Sequence, residues 1–148
     1  VQWKDPNRPV YWYYDSLAPR DSLITSAYLY FLRVDTLPTA QNLRLKLQHV
    51  GKKRLYLEDY SLVIDGDTQL MNLKAPIIHR EIDGKQVEGS ENRLRPYHLR
   101  LMRQLFLADR VTLLFNGYEH SASLPLSDST RRSLRRTFDA FFALEGEI

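Results

Sequence analysis

Leu43, Leu45 and Leu47 alternate with Arg44, Lys46 and Gln48. A two-residue period of this kind predicts a strand with one buried face and one wet face. Upstream, Ala27 to Asp35 is apolar at odd and even positions alike, which predicts a central strand covered on both sides. Before it, residues 1–9 read as an extended lead-in and 10–14 as a short strand or edge segment, with Pro9 just ahead of it. Residues 15–26, carrying Pro19, Asp21, Ser22 and Ser26, read as a loop, and Thr36 to Gln41, with Pro38, as a turn.

Past Gly51-Lys52-Lys53, the run Arg54 to Asp65 predicts a long strand, bent or bulged near Glu58-Asp59. Asp65-Gly66-Asp67 signals a hairpin into a shorter strand at 68–74. Residues 76–95 are polar and hold Gly84 and Gly89, so they read as a long loop with a small hairpin at Ile82-Asp83-Gly84-Lys85. Leu94, Tyr97, Leu101, Leu105 and Ala108 fall at helical spacing, and Pro96 suits a first turn, which predicts a helix near 96–108. Val111 to Phe115 reads as a strand, Asn116-Gly117 as a two-residue turn, and Tyr118 to Leu126 as the returning strand. Ser127 is placed to cap a C-terminal helix with Asp128 in its first turn and Leu134, Phe138, Phe141 and Phe142 along its buried stripe; Gly146 lies past its end. Five or six hairpin-linked strands and two late helices predict one α+β domain over 1–148, a mainly antiparallel sheet or small sandwich covered by the last helix. No period of twenty to fifty residues repeats, which excludes solenoids and propellers.

Composition narrows the chemistry. The 148 residues contain no cysteine, so disulfides, thiol nucleophiles and Cys-ligated metals are excluded. No apolar run approaches the roughly 18–20 residues of a membrane span. The net charge of +3, from 21 basic and 18 acidic residues, argues against a dedicated nucleic-acid binder. His49, His79, His98 and His120 are dispersed, with no metal-ligand spacing among them. The serines lie in no nucleophile elbow, and the six glycines form neither a P-loop nor a dinucleotide fingerprint. Asp65-Gly66-Asp67 offers too few oxygens for calcium. The sequence thus nominates no catalytic residue, metal or cofactor, and the expectation is a protein that is not an enzyme.

Two groups of residues suggest binding instead. Nine arginines fall between positions 93 and 136. Of these, Arg131, Arg132, Arg135 and Arg136 on the last helix, with Arg100 and Arg103 on the earlier one, are candidates for a polyanion-binding face toward nucleic acid, lipopolysaccharide or an anionic membrane. Helical geometry sets Arg131 and Arg135 beside the buried stripe and turns Arg132 and Arg136 to solvent. The plainer alternative is a solvated face whose stems cover apolar surface. The second group is Trp3, Tyr11, Trp12, Tyr13 and Tyr14, candidates for stacking on a ligand or glycan. A strand sets Tyr11 and Tyr13 on one face and Trp12 and Tyr14 on the other, so half of them are expected in the core.

The chain runs from Tyr14-Asp15-Ser16 through paired strands to Arg110-Val-Thr-Leu-Leu-Phe-Asn-Gly-Tyr118, Ser123-Leu-Pro-Leu126 and a closing helix rich in Arg and Phe. In that arrangement it resembles small uncharacterised β-rich domains of exported bacterial proteins, many of them lipoproteins. The likeness spans most of the chain in outline and is motif-like in the closing hairpin and helix. It carries no catalytic residues. It implies a cell-envelope or periplasmic location and a role through contacts with a protein or envelope component. The chain opens at Val1 without methionine, as a processed or trimmed chain would, and a lipid-bearing cysteine would sit upstream of it.

Overall fold

The structure is a computed structural model and describes residues 1–148 apart from Asp21, Asp35, Thr36 and Pro38. The turn expected around Pro38, the last residue of the strand expected at 27–35, and Asp21 of the expected loop lie outside the described residues.

Among the described residues, ten strands and two helices follow in chain order: β1 (Gln2–Lys4), β2 (Val10–Tyr14), β3 (Ser26–Val34), β4 (Ala40–Gly51), β5 (Leu57–Ile64), β6 (Asp67–Leu70), β7 (Ile78–Ile82), β8 (Lys85–Arg93), α1 (Leu99–Leu107), β9 (Val111–Gly117), β10 (Ser121–Pro125) and α2 (Asp128–Ala143). A 3-10 turn at Pro96–His98 leads into α1. All pairings are antiparallel, in a six-stranded sheet ordered β1-β2-β3-β4-β8-β7 and a four-stranded sheet ordered β10-β9-β5-β6. This is the α+β, sandwich-like architecture that the hydrophobic pattern predicts.

One core serves both sheets and both helices. Leu29 and Phe31 of β3 and Leu43, Leu45 and Leu47 of β4 face inward, opposite Leu62 and Phe115 of the smaller sheet. From α2, Phe141 meets Phe31 edge-on at 5.6 Å between ring centroids. Polar groups on the inner face of β8 tie the sheets together. Glu88, 1% exposed, accepts the backbone N–H groups of Leu55 at 2.7 Å and Leu57 at 3.0 Å. The hydroxyls of Ser90 and Tyr60 lie 2.8 Å apart. Burial pushes the Tyr60 phenol up to about 12.

Three segments depart from expectation. The lead-in contains β1, which pairs with β2 so that Trp3 stands opposite Trp12. The long loop expected at 76–95 is largely the β7–β8 hairpin, with its turn at Asp83 and Gly84, both at positive φ. Its polar composition misleads because β8 turns Glu88, Ser90 and Asn92 into the interior, where they are paired with other polar groups. Gly89 is no loop marker either: a Cβ there would lie 2.1 Å from the Leu47 carbonyl oxygen. Lastly, Asn116-Gly117 is not a two-residue turn. Both residues remain in β9, where Asn116 pairs with Ser121 and Gly117 with Leu57. Gly117 is needed for close approach, since a Cβ would sit 2.2 Å from the carbonyl oxygens of Leu55 and His120.

Candidate ligand-binding face

The outer face of the six-stranded sheet, opposite the core, is where aromatic and charged side chains converge. Directly paired residues on neighbouring strands share a face. Trp3, Trp12 and Leu32 form one cross-strand row, Tyr14, Tyr30, Arg44 and Arg93 a second, and Tyr28, Lys46 and Glu91 a third. The Trp12 and Tyr30 rings lie 5.6 Å apart, and those of Tyr28 and Tyr30 6.1 Å apart. Both helices pack on the other side, so this face is walled only by chain segments at its margins.

One wall is the segment 15–25 between β2 and β3. Gln48, pointing outward from β4, donates to the carbonyls of Ser22 and Ile24, each at 3.0 Å. Thr25 Oγ1 accepts the Val50 N–H at 3.0 Å. At the other end of the segment, Asp15 accepts from the Leu17 N–H at 3.0 Å, the Ser133 hydroxyl at 2.9 Å, and the Arg136 guanidinium at 2.7 and 2.9 Å. The Arg136 guanidinium holds the Asp15 carboxyl well below the usual carboxylate range against the opposing effect of burial. With both ends held, the segment carries Arg20 over the aromatics. Its guanidinium lies 5.0 Å from the Trp3 ring and 4.9 Å from the Tyr14 ring, and donates to the Tyr14 hydroxyl at 3.0 Å.

The floor is a cleft of about 260 Å³ lined by Trp3, Trp12, Tyr14, Tyr28 and Tyr30 with Arg20, Lys46 and Glu91. Lys46 Nζ stands 5.8 Å from the Tyr28 ring centroid and 3.8 Å from Glu91 Oε1. Burial, and then the Glu91 carboxylate to which its hydroxyl bonds, raises the Tyr30 phenol above its ordinary range. The cleft therefore has a fixed polar end and an aromatic body.

Of the five aromatics singled out in the sequence, Trp3, Trp12 and Tyr14 reach this cleft. Tyr13 faces the core, stacked on Phe31 at 5.1 Å, and Tyr11 lies beneath Lys4 at 5.5 Å. Tyr28 and Tyr30 were hidden because 27–35 reads as apolar throughout. The available signal was their alternation with Leu29 and Phe31, which sets two hydroxyl-bearing rings on one face. The contributions of Arg20, Lys46 and Glu91 follow from register and from the path of 15–25, which no local pattern encodes.

The arginine candidates are distributed differently. Arg131, its side chain 13% exposed, donates to the Ala108 and Asp109 carbonyls and to Asp128 Oδ1. Arg135 pairs with Asp139 at 3.6 Å, and Arg136 with Asp15. Arg132, Arg100 and Arg103 are exposed. Three of the four α2 arginines thus have carboxylate partners inside the chain.

Among the described residues, no group of three or more His, Asp or Glu side chains is assembled that could hold a metal ion. Among the same residues, no helix is long and apolar enough to cross a membrane. No protein-family model, curated protein or solved structure matches the chain. Fold and site together define a class: an α+β sandwich-like domain with an aromatic and basic cleft on the outer face of its larger sheet.

Proposed function

We propose that the chain is a non-enzymatic binding domain that holds a glycan across the outer face of its six-stranded sheet. The observation that carries this reading is the cleft in which five aromatic rings stand beside Arg20, Lys46 and Glu91. Sugar rings offer apolar C–H faces edged by hydroxyls. Their complement is a wall of aromatic faces with a few fixed polar groups, the usual make-up of a small-molecule site. Reach also favours a chain of rings over a single one: from β1 to β7 there are five strand spacings, or about 24 Å at roughly 4.8 Å each. Among the described lining residues the one carboxylate, Glu91, is engaged by Tyr30 and Lys46, an arrangement suited to holding a ligand more than to moving a proton.

A bacterial envelope location is part of the proposal and rests on the resemblance of the closing hairpin and helix. A signal sequence or lipobox ahead of Val1 in the parent reading frame supports it, and a reading frame with neither contradicts it.

The functional test is retention on a panel of immobilised oligosaccharides. Wild type should bind at least one of them. Trp3→Ala and Trp12→Ala, verified as folded by circular dichroism, should each weaken that binding about tenfold or more, in line with roughly 1–3 kcal/mol per stacked ring. Binding unaffected by both substitutions, or no binding to any of the panel, overturns the reading.

A further inference from the structure

We infer that the Lys46–Glu91 pair reads two neighbouring hydroxyls on one interior ring of the glycan, a chain whose linkage leaves such a vicinal diol free. This rests on the glycan reading above and narrows it to a class of linkage. The first support is the geometry of the pair. Lys46 and Glu91 are direct cross-strand partners on β4 and β8, and their charged atoms stand 3.8 Å apart. That is longer than the roughly 2.7–2.9 Å of a charge-assisted hydrogen bond, so the two groups are paired in charge without using up each other's donors and acceptors. The ammonium has three N–H donors. The carboxylate has about four acceptor positions, of which the Tyr30 hydroxyl takes one. A donor and an acceptor thus lie side by side, on side chains 25% and 50% exposed.

The second support is the chemistry that fits this pair. A hydroxyl both donates and accepts, so of two neighbours on a ring one donates to Glu91 while the next accepts from Lys46. A single hydroxyl serving both would hold its two bonds at about a right angle, tighter than the tetrahedral directions of its oxygen. A trans amide turns its N–H and its carbonyl to opposite edges and cannot meet both groups. A ligand carboxylate would satisfy Lys46 and bring a like charge against Glu91.

The third support is position. Lys46 and Glu91 both line the aromatic cleft, and both also line a depression of about 400 Å³ that runs on toward Ile78 and Arg80 of β7. The pair therefore marks a junction within the face, and a chain stacked on Trp3 and Trp12 continues past it. The ring at the pair is then an interior one, with linkages on two sides, and the linkage decides which of its hydroxyls stay adjacent. Lys46 Nζ, 5.8 Å from the Tyr28 ring centroid, sets the donor at the rim of an aromatic face, as sugar hydroxyls rim an apolar C–H face.

The experiment is calorimetric titration of the whole chain with five hexamers. Cellohexaose, mannohexaose and xylohexaose keep two neighbouring hydroxyls on every interior ring. Laminarihexaose has the glucose units of cellohexaose with a linkage that separates the free hydroxyls, and chitohexaose carries an acetamide in place of one of them. At least one of the first three should bind roughly tenfold or more tighter than either of the last two, as one charge-assisted contact provides. Glu91→Met and Lys46→Met, verified as folded by circular dichroism, should each remove most of that preference, and Lys46→Arg should retain it. A preference that survives both methionine substitutions comes from shape alone and overturns the inference. Equal binding of all five, or tighter binding of the last two, overturns it as well; where Trp12→Ala weakens that binding, the glycan face stands. No binding by any of the five, or binding that neither Trp3→Ala nor Trp12→Ala weakens, overturns both.

Discussion

Asp15 and Arg136, 121 positions apart, meet in a two-pronged ion pair: Nε donates to Oδ1 at 2.7 Å and Nη2 to Oδ2 at 2.9 Å. The same carboxylate takes the Leu17 N–H and the Ser133 hydroxyl. One side chain thus joins the C-terminal helix to the segment that suspends Arg20 over Trp3 and Tyr14. An arginine that helical geometry turns toward solvent serves as a strut for the cleft wall.

This pair gives stability a defined pH dependence. The Asp15 carboxyl is lower in the folded chain than its ordinary value of 3.8, so its contribution is full above that value and is lost as pH falls below it. Thermal melts of wild type should show the melting temperature dropping between pH 5 and pH 3, with a shallower drop in Asp15→Asn. Equal slopes in the two proteins would remove Asp15 from the acid transition. In Arg136→Ala, amide exchange at Leu17 should quicken while exchange in β4 and β8 stays slow.

A second pH effect has the opposite chemistry and a higher window. His98 is buried, its Nδ1 accepts the Arg95 N–H at 2.9 Å, and its Nε2 faces the Asn72 carbonyl at 3.3 Å. Burial holds its imidazole below the ordinary value of 6.5, so the folded chain favours the neutral ring. As pH falls below about 6.5, the unfolded chain takes up the proton first and stability declines. His98→Gln should flatten denaturant midpoints measured between pH 7 and pH 5, leaving the contribution of His49, which burial also lowers.

Glu88 is expected to matter more for stability than any surface ion pair. Glu88→Leu leaves the buried N–H groups of Leu55 and Leu57 without an acceptor, at about 1–3 kcal/mol each. Urea unfolding should register a loss of several kcal/mol. A loss below about 1 kcal/mol would mean that the segment 55–57 finds other partners.

The end of α2 yields a stabilising substitution beside a destabilising one. Glu145 sits at φ +57, and its N–H bonds the Phe142 carbonyl while the Gly146 N–H bonds that of Phe141, the pattern in which glycine normally takes the left-handed position. Glu145→Gly should raise stability by up to about 1 kcal/mol by removing left-handed strain. Gly146→Ala should lower it by roughly 1–3 kcal/mol, because a Cβ there meets the Phe141 ring at 2.6 Å. A reversed order in thermal melts would contradict this assignment.

Much of the fold was readable from period and turn chemistry. The leucine alternation of β4, the bulge near Glu58-Asp59, the helix after Pro96 and the Ser127 cap all appear where the pattern sets them. The misreadings share a cause: local rules treat polar residues and glycines as surface or turn markers. Glu88, Ser90 and Asn92 are polar and buried because hydrogen bonds hold them there: Glu88 to the N–H groups of Leu55 and Leu57, Ser90 to Tyr60, and the Asn92 amide nitrogen to the Leu45 carbonyl and Ser90. Gly89 and Gly117 are glycines because backbone passes too close for a side chain. For the site, strand alternation separated Trp12 and Tyr14 from Tyr13. It could not bring in Arg20, Lys46 or Glu91, which depend on strand order and on a wall anchored more than a hundred residues away.

The central claim has a direct optical test, since the only two tryptophans, Trp3 and Trp12, both line the cleft. Tryptophan fluorescence should shift and saturate on titration with the oligosaccharide that the immobilised panel retains, with the midpoint matching the affinity measured by calorimetry. Calorimetric binding of that oligosaccharide with no change in tryptophan emission would contradict the account.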